Sequence, residues 1–136
     1  MIGDVCGDII SLIEDAGLGV HGVDLFSRVD FDYKGELRGI LVENPSPGTI
    51  PDVLTETDTV GIDITVCKGV GDRGRTQTTE LAFKIFKLLS LKTDITVNGT
   101  LYPLITAVNS PYEIKRDDRY YRAFRVEVTR YYGGIQ

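Results

Sequence analysis

The sequence predicts an α+β domain, in which two principal helices pack on one face of a mainly antiparallel, twisted sheet. Two segments, 59–68 and 120–132, alternate between apolar and polar residues, as strands with one buried face do. Two others, 2–16 and 76–91, carry apolar residues at helical spacing. Because each alternating strand keeps one side for water or a partner, an antiparallel sheet is expected rather than a parallel sheet covered on both faces.

The composition is that of a globular chain with one domain, residues 1–136. Hydrophobic residues make up 42% and charged residues 26% of the 136 residues. The net charge of −5 argues against a broad basic surface that grips nucleic acid, but it does not exclude a protein that lets DNA pass without gripping it. No apolar run approaches the roughly 18 residues of a membrane helix. The first Lys or Arg is Arg28, so the start does not resemble a signal peptide, and a cytosolic location is expected.

The first half of the chain is predicted to contain one helix and two short strands. The helix, 2–16, ends at Gly17, because glycine often follows the last helical residue. The strands are 20–27 and 39–43, and a polar connection, 28–38, joins them.

Residues 44–58 are predicted to form the longest irregular segment. This segment contains three of the five prolines, and its charged residues are all acidic: Asp52, Glu56 and Asp58. A loop of this length in a small domain usually has a function or is disordered until it binds a partner.

The second half is predicted to run as strand, glycine-rich loop, helix, hairpin and final strand. These segments are 59–68, 69–75, 76–91, 95–105 and 120–132, with a turn-rich connection at 109–119. Asn98-Gly99 lies between two β-prone runs, which is the strongest short hairpin signal in the chain.

Gly69, Gly71 and Gly74 have the G-x-G-x-x-G spacing of a dinucleotide-binding turn. That motif needs a strand buried on both faces, a third glycine at the start of a helix, and an acidic residue after the next parallel strand. Here the strand alternates, the helical pattern begins only around 78–81, and Asp94 precedes a hairpin. The segment is therefore interpreted as a flexible loop, with Gly74 inside it.

The sequence contains few other residues or motifs typical of catalysis, and no catalytic residue, metal site or cofactor is predicted. His21 is the only histidine and is assigned a structural role. Cys6 and Cys67 are expected to be free thiols, since no CxxC spacing is present. Asp117-Asp118, flanked by arginines, is interpreted as a charged turn before the last strand.

The last strand carries an unusual number of tyrosines: Tyr120, Tyr121, Tyr131 and Tyr132. Tyrosine is enriched at protein interfaces, where one end packs and the other stays wet, so an interface is predicted. A stacking platform for single-stranded nucleic acid is the alternative, and the acidic charge balance disfavours it.

The order of features also carries a resemblance. A short N-terminal helix ends in EDAGLGV, and a strand then leads into the Pro-rich loop ILVENPSPGTIPD. Next come VGIDITVCKG, a loop, the helix TTELAFKIFKLL, a hairpin and NSPYEIKRDDRYYRAFRVEVTRYY. This order resembles the tail terminator (tail completion, minor capsid) proteins of long-tailed bacteriophages. The polar connection with Arg116 and Asp117 before the long final strand looks most like that family.

The resemblance implies a non-enzymatic structural protein of the virion, assembled in the cytoplasm of the bacterial host. It implies a ring, commonly a hexamer, at the head-proximal end of the tail tube. Such a ring stops polymerisation of the tail tube protein and meets a head–tail connector protein. Genomic DNA passes through its lumen without specific binding, and no cofactor or membrane is involved.

Two candidate surfaces follow for such a ring. The acidic residues Asp52, Glu56 and Asp58 are candidates for a lumen or tube-facing element, since negative charge does not slow passing DNA. Arg73 and Arg75 are candidates for a contact with a neighbouring subunit or the head side.

Three other readings stay open. A head–tail stopper or adaptor would share the size, acidity and lack of chemistry. A small nucleotide-binding enzyme would use Gly69, Gly71 and Gly74. A generic interaction domain of a cellular protein is the third.

Overall fold

The computed structural model describes residues 4–27, 37–44 and 51–133. In chain order, the elements within them are α1 (Val5–Asp15), β1 (Leu25–Ser27), β2 (Gly39–Glu43), β3 (Thr57–Cys67), α2 (Gly71–Leu89), β4 (Leu91–Val97), β5 (Thr100–Ala107), β6 (Tyr112–Arg116) and β7 (Arg119–Tyr131). The predicted α+β class, with a mostly antiparallel sheet, is confirmed.

The strands form one sheet in the order β1-β2-β3-β7-β5-β4, and β6 pairs with β7 beside this path. Only β1 and β2 run parallel. The two longest strands, β3 and β7, pair at the centre in a continuous register from Thr57↔Tyr131 to Val66↔Arg122. This central pair determines which side chains of the two strands share a face.

Both helices pack on the same face of the sheet, as predicted. The inward-facing residues of the two central strands are buried, as their alternation predicted: Val60, Ile62, Ile64, Val66, Phe124, Val126 and Val128. The helices contribute Val5, Ile9, Ile10, Ile13, Ala82, Ile85 and Leu89 to the same core. Its formation removes apolar surface from water on one side of the sheet only.

Helix α2 begins five residues earlier than the sequence pattern predicted, so most of the predicted loop 69–75 is helical. Its buried residues are Gly74, Thr78, Ala82, Ile85 and Leu89, so small residues form the first half of the buried stripe. The Thr78 hydroxyl accepts a hydrogen bond from the Lys68 backbone N–H at 2.8 Å. Small side chains let the helix approach the end of β3, and hydrophobic periodicity does not detect them.

Two other segments differ from expectation. Of the predicted strand 20–27, only Leu25–Ser27 is a strand, and His21 is exposed and forms an isolated β-bridge with Leu25. There the His21 N–H donates to Glu14 Oε2 at 2.8 Å. The predicted connection 109–119 contains β6, which pairs with β7, and the predicted Asp117-Asp118 turn joins the two strands.

The predicted loop 44–58 is only partly described, because 45–50 lie outside the described residues. Its last two residues, Thr57 and Asp58, belong to β3 instead. Residues 28–36 of the predicted connection also lie outside the described part of the chain.

The hairpin predicted at Asn98-Gly99 is confirmed and is tied to α1. Both residues have positive φ, 49° and 83°, as a two-residue type I′ turn requires. The Asn98 side-chain Nδ2 donates to Asp8 Oδ1 at 2.9 Å. The buried Asp8 carboxylate also accepts a hydrogen bond from the buried Tyr102 hydroxyl. One carboxylate therefore joins α1 to the turn of the β4–β5 hairpin and to β5.

Candidate protein interface

The turn between Asp52 and Thr57, at the start of β3, carries two highly exposed apolar side chains. Val53 is 81% and Leu54 is 94% exposed, the two largest values among the exposed large hydrophobic residues of the described chain. Single exposed apolar residues are common, but adjacent ones on an ordered turn suggest a contact surface.

Hydrogen bonds hold this turn in one conformation. Asp52 and Thr57 exchange backbone hydrogen bonds of 2.8 and 3.2 Å. The Asp52 carboxylate accepts from the N–H groups of Leu54 and Thr55, at 3.0 and 3.4 Å, in the manner of an Asx turn. The Tyr132 N–H donates to the Glu56 carbonyl at 2.9 Å, which anchors the turn to the residue after β7. The apolar pair is therefore presented on a fixed support.

The three acidic residues predicted to act together are separated by the structure. Asp52 caps the turn, and Glu56 is exposed at the end of it. Asp58 instead lies in β3 opposite Arg130, and the two form a bidentate ion pair with distances of 2.7 and 3.1 Å. Both of these side chains are only 18% exposed, so the charge of Asp58 is compensated within the fold.

Arg73 and Arg75 both lie near the start of α2 and are exposed, but only Arg75 is engaged. Its guanidinium forms two hydrogen bonds with Glu113 of β6, at 2.6 and 2.9 Å. It also lies over the Tyr120 ring, 4.9 Å from the centroid. Arg73 has no ion pair or hydrogen-bonding side-chain partner within residues 4–27, 37–44 and 51–133. Of the two, Arg73 is therefore the one available to a partner.

The hydrogen bonds from Arg75 lower the pKa of Glu113. A carboxylate with a lowered folded-state pKa stabilises the fold above its ordinary pKa, and this contribution is lost as pH falls through the folded-state value. We expect Arg75→Gln to raise the pKa of Glu113 toward the ordinary glutamate value in an NMR titration. Arg73→Gln is the matched control and should leave it unchanged; equal titration curves for all three proteins would contradict the pairing.

The glycine motif does not form the loop that the sequence predicted. Gly74 lies inside α2 and is buried, so its predicted loop position is wrong. A Cβ on Gly74 would lie 2.4 Å from the carbonyl carbon of Gly69, so the two glycines allow the helix to meet the end of β3. Gly74 thus permits close packing of helix on strand, as the third glycine of a dinucleotide-binding turn does.

The surroundings of the motif do not form a nucleotide-binding crossover. β3 is antiparallel to both of its neighbours, and α2 leads to β4, which pairs with β5. The Gly71 N–H at the start of α2 donates to the Asp118 carbonyl at 3.2 Å. The acidic β6–β7 turn therefore lies against the helix end that would have to meet a phosphate.

Both cysteines are free, as predicted. Burial, together with the carboxylates of Asp4 and Glu43, raises the pKa of the Cys6 thiol to about 11. Cys67 is buried on the other face of the sheet, in a small cluster with Leu37 and Leu41.

The tyrosines of the last strand serve mostly internal contacts. Tyr121 packs against the cluster around Cys67, and Tyr120 lies beneath Arg75. The Tyr132 hydroxyl reaches the Asp52 carbonyl at 3.4 Å. Tyr131 is 38% exposed. That Tyr131 lies in a protein interface therefore stays a prediction.

Sequence reasoning missed Val53 and Leu54, the two most exposed large apolar residues among those that the structure describes. The available signal was an apolar pair between acidic residues in a segment without strand or helix periodicity. Within the part of the chain that the structure describes, no group of three or more His, Cys, Asp or Glu side chains could hold a metal ion. No helix among these residues has the length and apolarity to cross a membrane.

The fold and its surface thus define an α+β domain with a rigid, apolar-tipped turn. Comparison of the chain with models of known protein families and with curated proteins gives no match.

Proposed function

We propose that this chain is a structural virion protein of the tail terminator type. It forms a ring at the head-proximal end of a phage tail tube, stops polymerisation of the tube protein and provides the surface that joins the head. It acts through protein contacts rather than catalysis.

The observation that carries the proposal is the turn 52–56. A hydrogen-bonded turn that holds Val53 and Leu54 in solvent loses little conformational freedom on binding, so more of the contact energy is retained. Such a feature suits a subunit that must dock repeatedly in one geometry. The resemblance to tail terminators, which rests on the order of features in the sequence, supports the same proposal.

Charge supports the same role. The chain carries a net charge of −5. Within the described residues, neither Asp52 nor Glu56 forms an ion pair with a cationic side chain, so the turn retains its negative charge. In a ring whose channel carries DNA, negatively charged residues do not attract the passing DNA and so do not slow it.

The direct test is polymerisation of purified tail tube protein in the presence of this chain. We expect tube growth to stop, with mean length in electron micrographs falling as the ratio of this chain to tube protein rises. Unchanged tube length at every ratio would overturn the proposal. If the chain then bound a head–tail connector protein, the stopper or adaptor function would take its place.

The close packing of Gly69 and Gly74 is the one observation that favours a nucleotide-binding function instead. Equilibrium dialysis with labelled NAD or ATP tests it. We expect no saturable binding at millimolar nucleotide, because the β6–β7 turn lies against the α2 N-terminus.

A further inference from the structure

Helix α2 presents a continuous exposed face that is the chemical complement of the turn 52–56. Seven exposed residues fall within a third of the helix circumference at 100° per residue: Arg73, Thr76, Gln77, Glu80, Phe83, Lys84 and Lys87. We call this set the cationic face of α2. It carries three cations and one carboxylate, and it lies opposite the buried stripe of the same helix.

The cationic face also contains an ordered aromatic side chain. Phe83 is 42% exposed, and its ring stands edge-to-face against Phe86 with centroids 6.1 Å apart. In addition, the guanidinium of Arg122 lies over the Phe83 ring, 5.9 Å from its centroid. An aromatic ring held by two neighbours offers apolar area without further loss of rotamer freedom.

The cationic side chains of this face form no ion pair within the described part of the same copy. Lys84 and Lys87 have no ion pair with any residue in the described ranges, and the same holds for Arg73. Asp52 and Glu56 carry the opposite sign beside Val53 and Leu54. Each surface thus combines apolar area with charge, and the charges of the two surfaces are opposite in sign.

We propose that the turn 52–56 of one copy docks on the cationic face of α2 of a second copy. Two different surfaces that bind head to tail form a heterologous contact, which generates a closed ring when the rotation between copies closes. This inference rests on the proposed ring function and names the surfaces that build the ring. Val53, Leu54 and Phe83 provide the apolar centre, and the charges select partner and orientation.

The test uses two double variants of the full chain. Val53→Ser with Leu54→Ser removes the apolar turn, and Arg73→Glu with Lys84→Glu reverses the helix face. The matched controls are Val20→Ser with Val23→Ser, another exposed apolar pair, and Lys68→Glu with Arg116→Glu, which makes the same charge change elsewhere. Circular dichroism and thermal unfolding verify that every variant is folded.

Sedimentation velocity at concentrations up to about 1 mM detects even weak self-association. We expect the wild type and both controls to associate, and each test variant to lose at least about tenfold in affinity, as truncation of an interface anchor does. Mixing the two test variants should restore association but stop it at a heterodimer, because each copy then retains only one of the two surfaces.

Several results would overturn the inference. These are a wild type that stays monomeric throughout, a turn variant that associates like the wild type, a helix-face variant that still forms homodimers, and a mixture that stays monomeric. The tube-growth assay separates this failure from that of the proposed function. Variants that no longer self-associate but still stop tube growth would refute the contact and retain the function. A wild type that self-associates as expected but leaves tubes unchanged would retain the contact and refute the function.

Discussion

Replacement of Asp8 by alanine is expected to lower the free energy of unfolding by about 3 kcal/mol. The Asp8 carboxylate is buried, and it accepts hydrogen bonds from the Tyr102 hydroxyl and from Asn98 Nδ2. Its removal leaves the buried Tyr102 hydroxyl without its acceptor and separates α1 from the β4–β5 hairpin. Urea denaturation followed by circular dichroism measures the change.

Ser11→Ala is the matched control for this prediction. Ser11 lies one helical turn after Asp8, and its hydroxyl is 3.2 Å from the same Asn98 nitrogen, but that contact is exposed. We expect a loss of no more than about 0.5 kcal/mol, as for other surface contacts. If the two variants were equally stable, the buried carboxylate would not be the link between helix and hairpin.

Gly74→Ala is expected to lower the free energy of unfolding by about 2 kcal/mol, although alanine is normally the better helix former. The new Cβ would lie 2.4 Å from the Gly69 carbonyl carbon and 2.7 Å from its oxygen. Both contacts are with backbone, so the start of α2 must move away from β3. Urea denaturation again gives the value.

Gly7→Ala in α1 provides the opposite case. Its new Cβ would lie 3.1 Å from Asp4 Oδ2, a side-chain atom, whereas the capping hydrogen bond from the Cys6 N–H goes to Oδ1. We expect a neutral or stabilising effect of up to about 1 kcal/mol from helix propensity. Destabilisation of the same size in both variants would show that close packing at Gly69 does not distinguish Gly74.

The two stability predictions concern contacts that no local pattern revealed. The glycine-rich run 69–75 has poor helix propensity, so the pattern predicted a loop. It is mostly helical because Gly74 and Thr78 pack against the end of β3, and tertiary packing overrides propensity. The sequence pattern also missed β6, for a related reason. This short polar segment forms a strand only because β7 lies beside it and pairs with it.

The candidate surface was predictable only in part. The acidic segment drew attention to Asp52, Glu56 and Asp58, but the register of β3 on β7 places Asp58 opposite Arg130 and removes it from the set. Similarly, Arg73 and Arg75 look equivalent in the sequence, yet Arg75 is paired with Glu113 and Arg73 is not. Each distinction depends on a residue far away in the chain.

The sequence by itself determined the fold class, the inward faces of β3 and β7, and the hairpin at Asn98-Gly99. It could do so because apolar periodicity records which side of an element leaves water, and turn residues record a local backbone conformation. Only the tertiary structure decided which charges are compensated, where α2 begins and which apolar residues stay exposed. These depend on register and close approach between distant segments, such as Asp58 and Arg130, 72 residues apart in the chain.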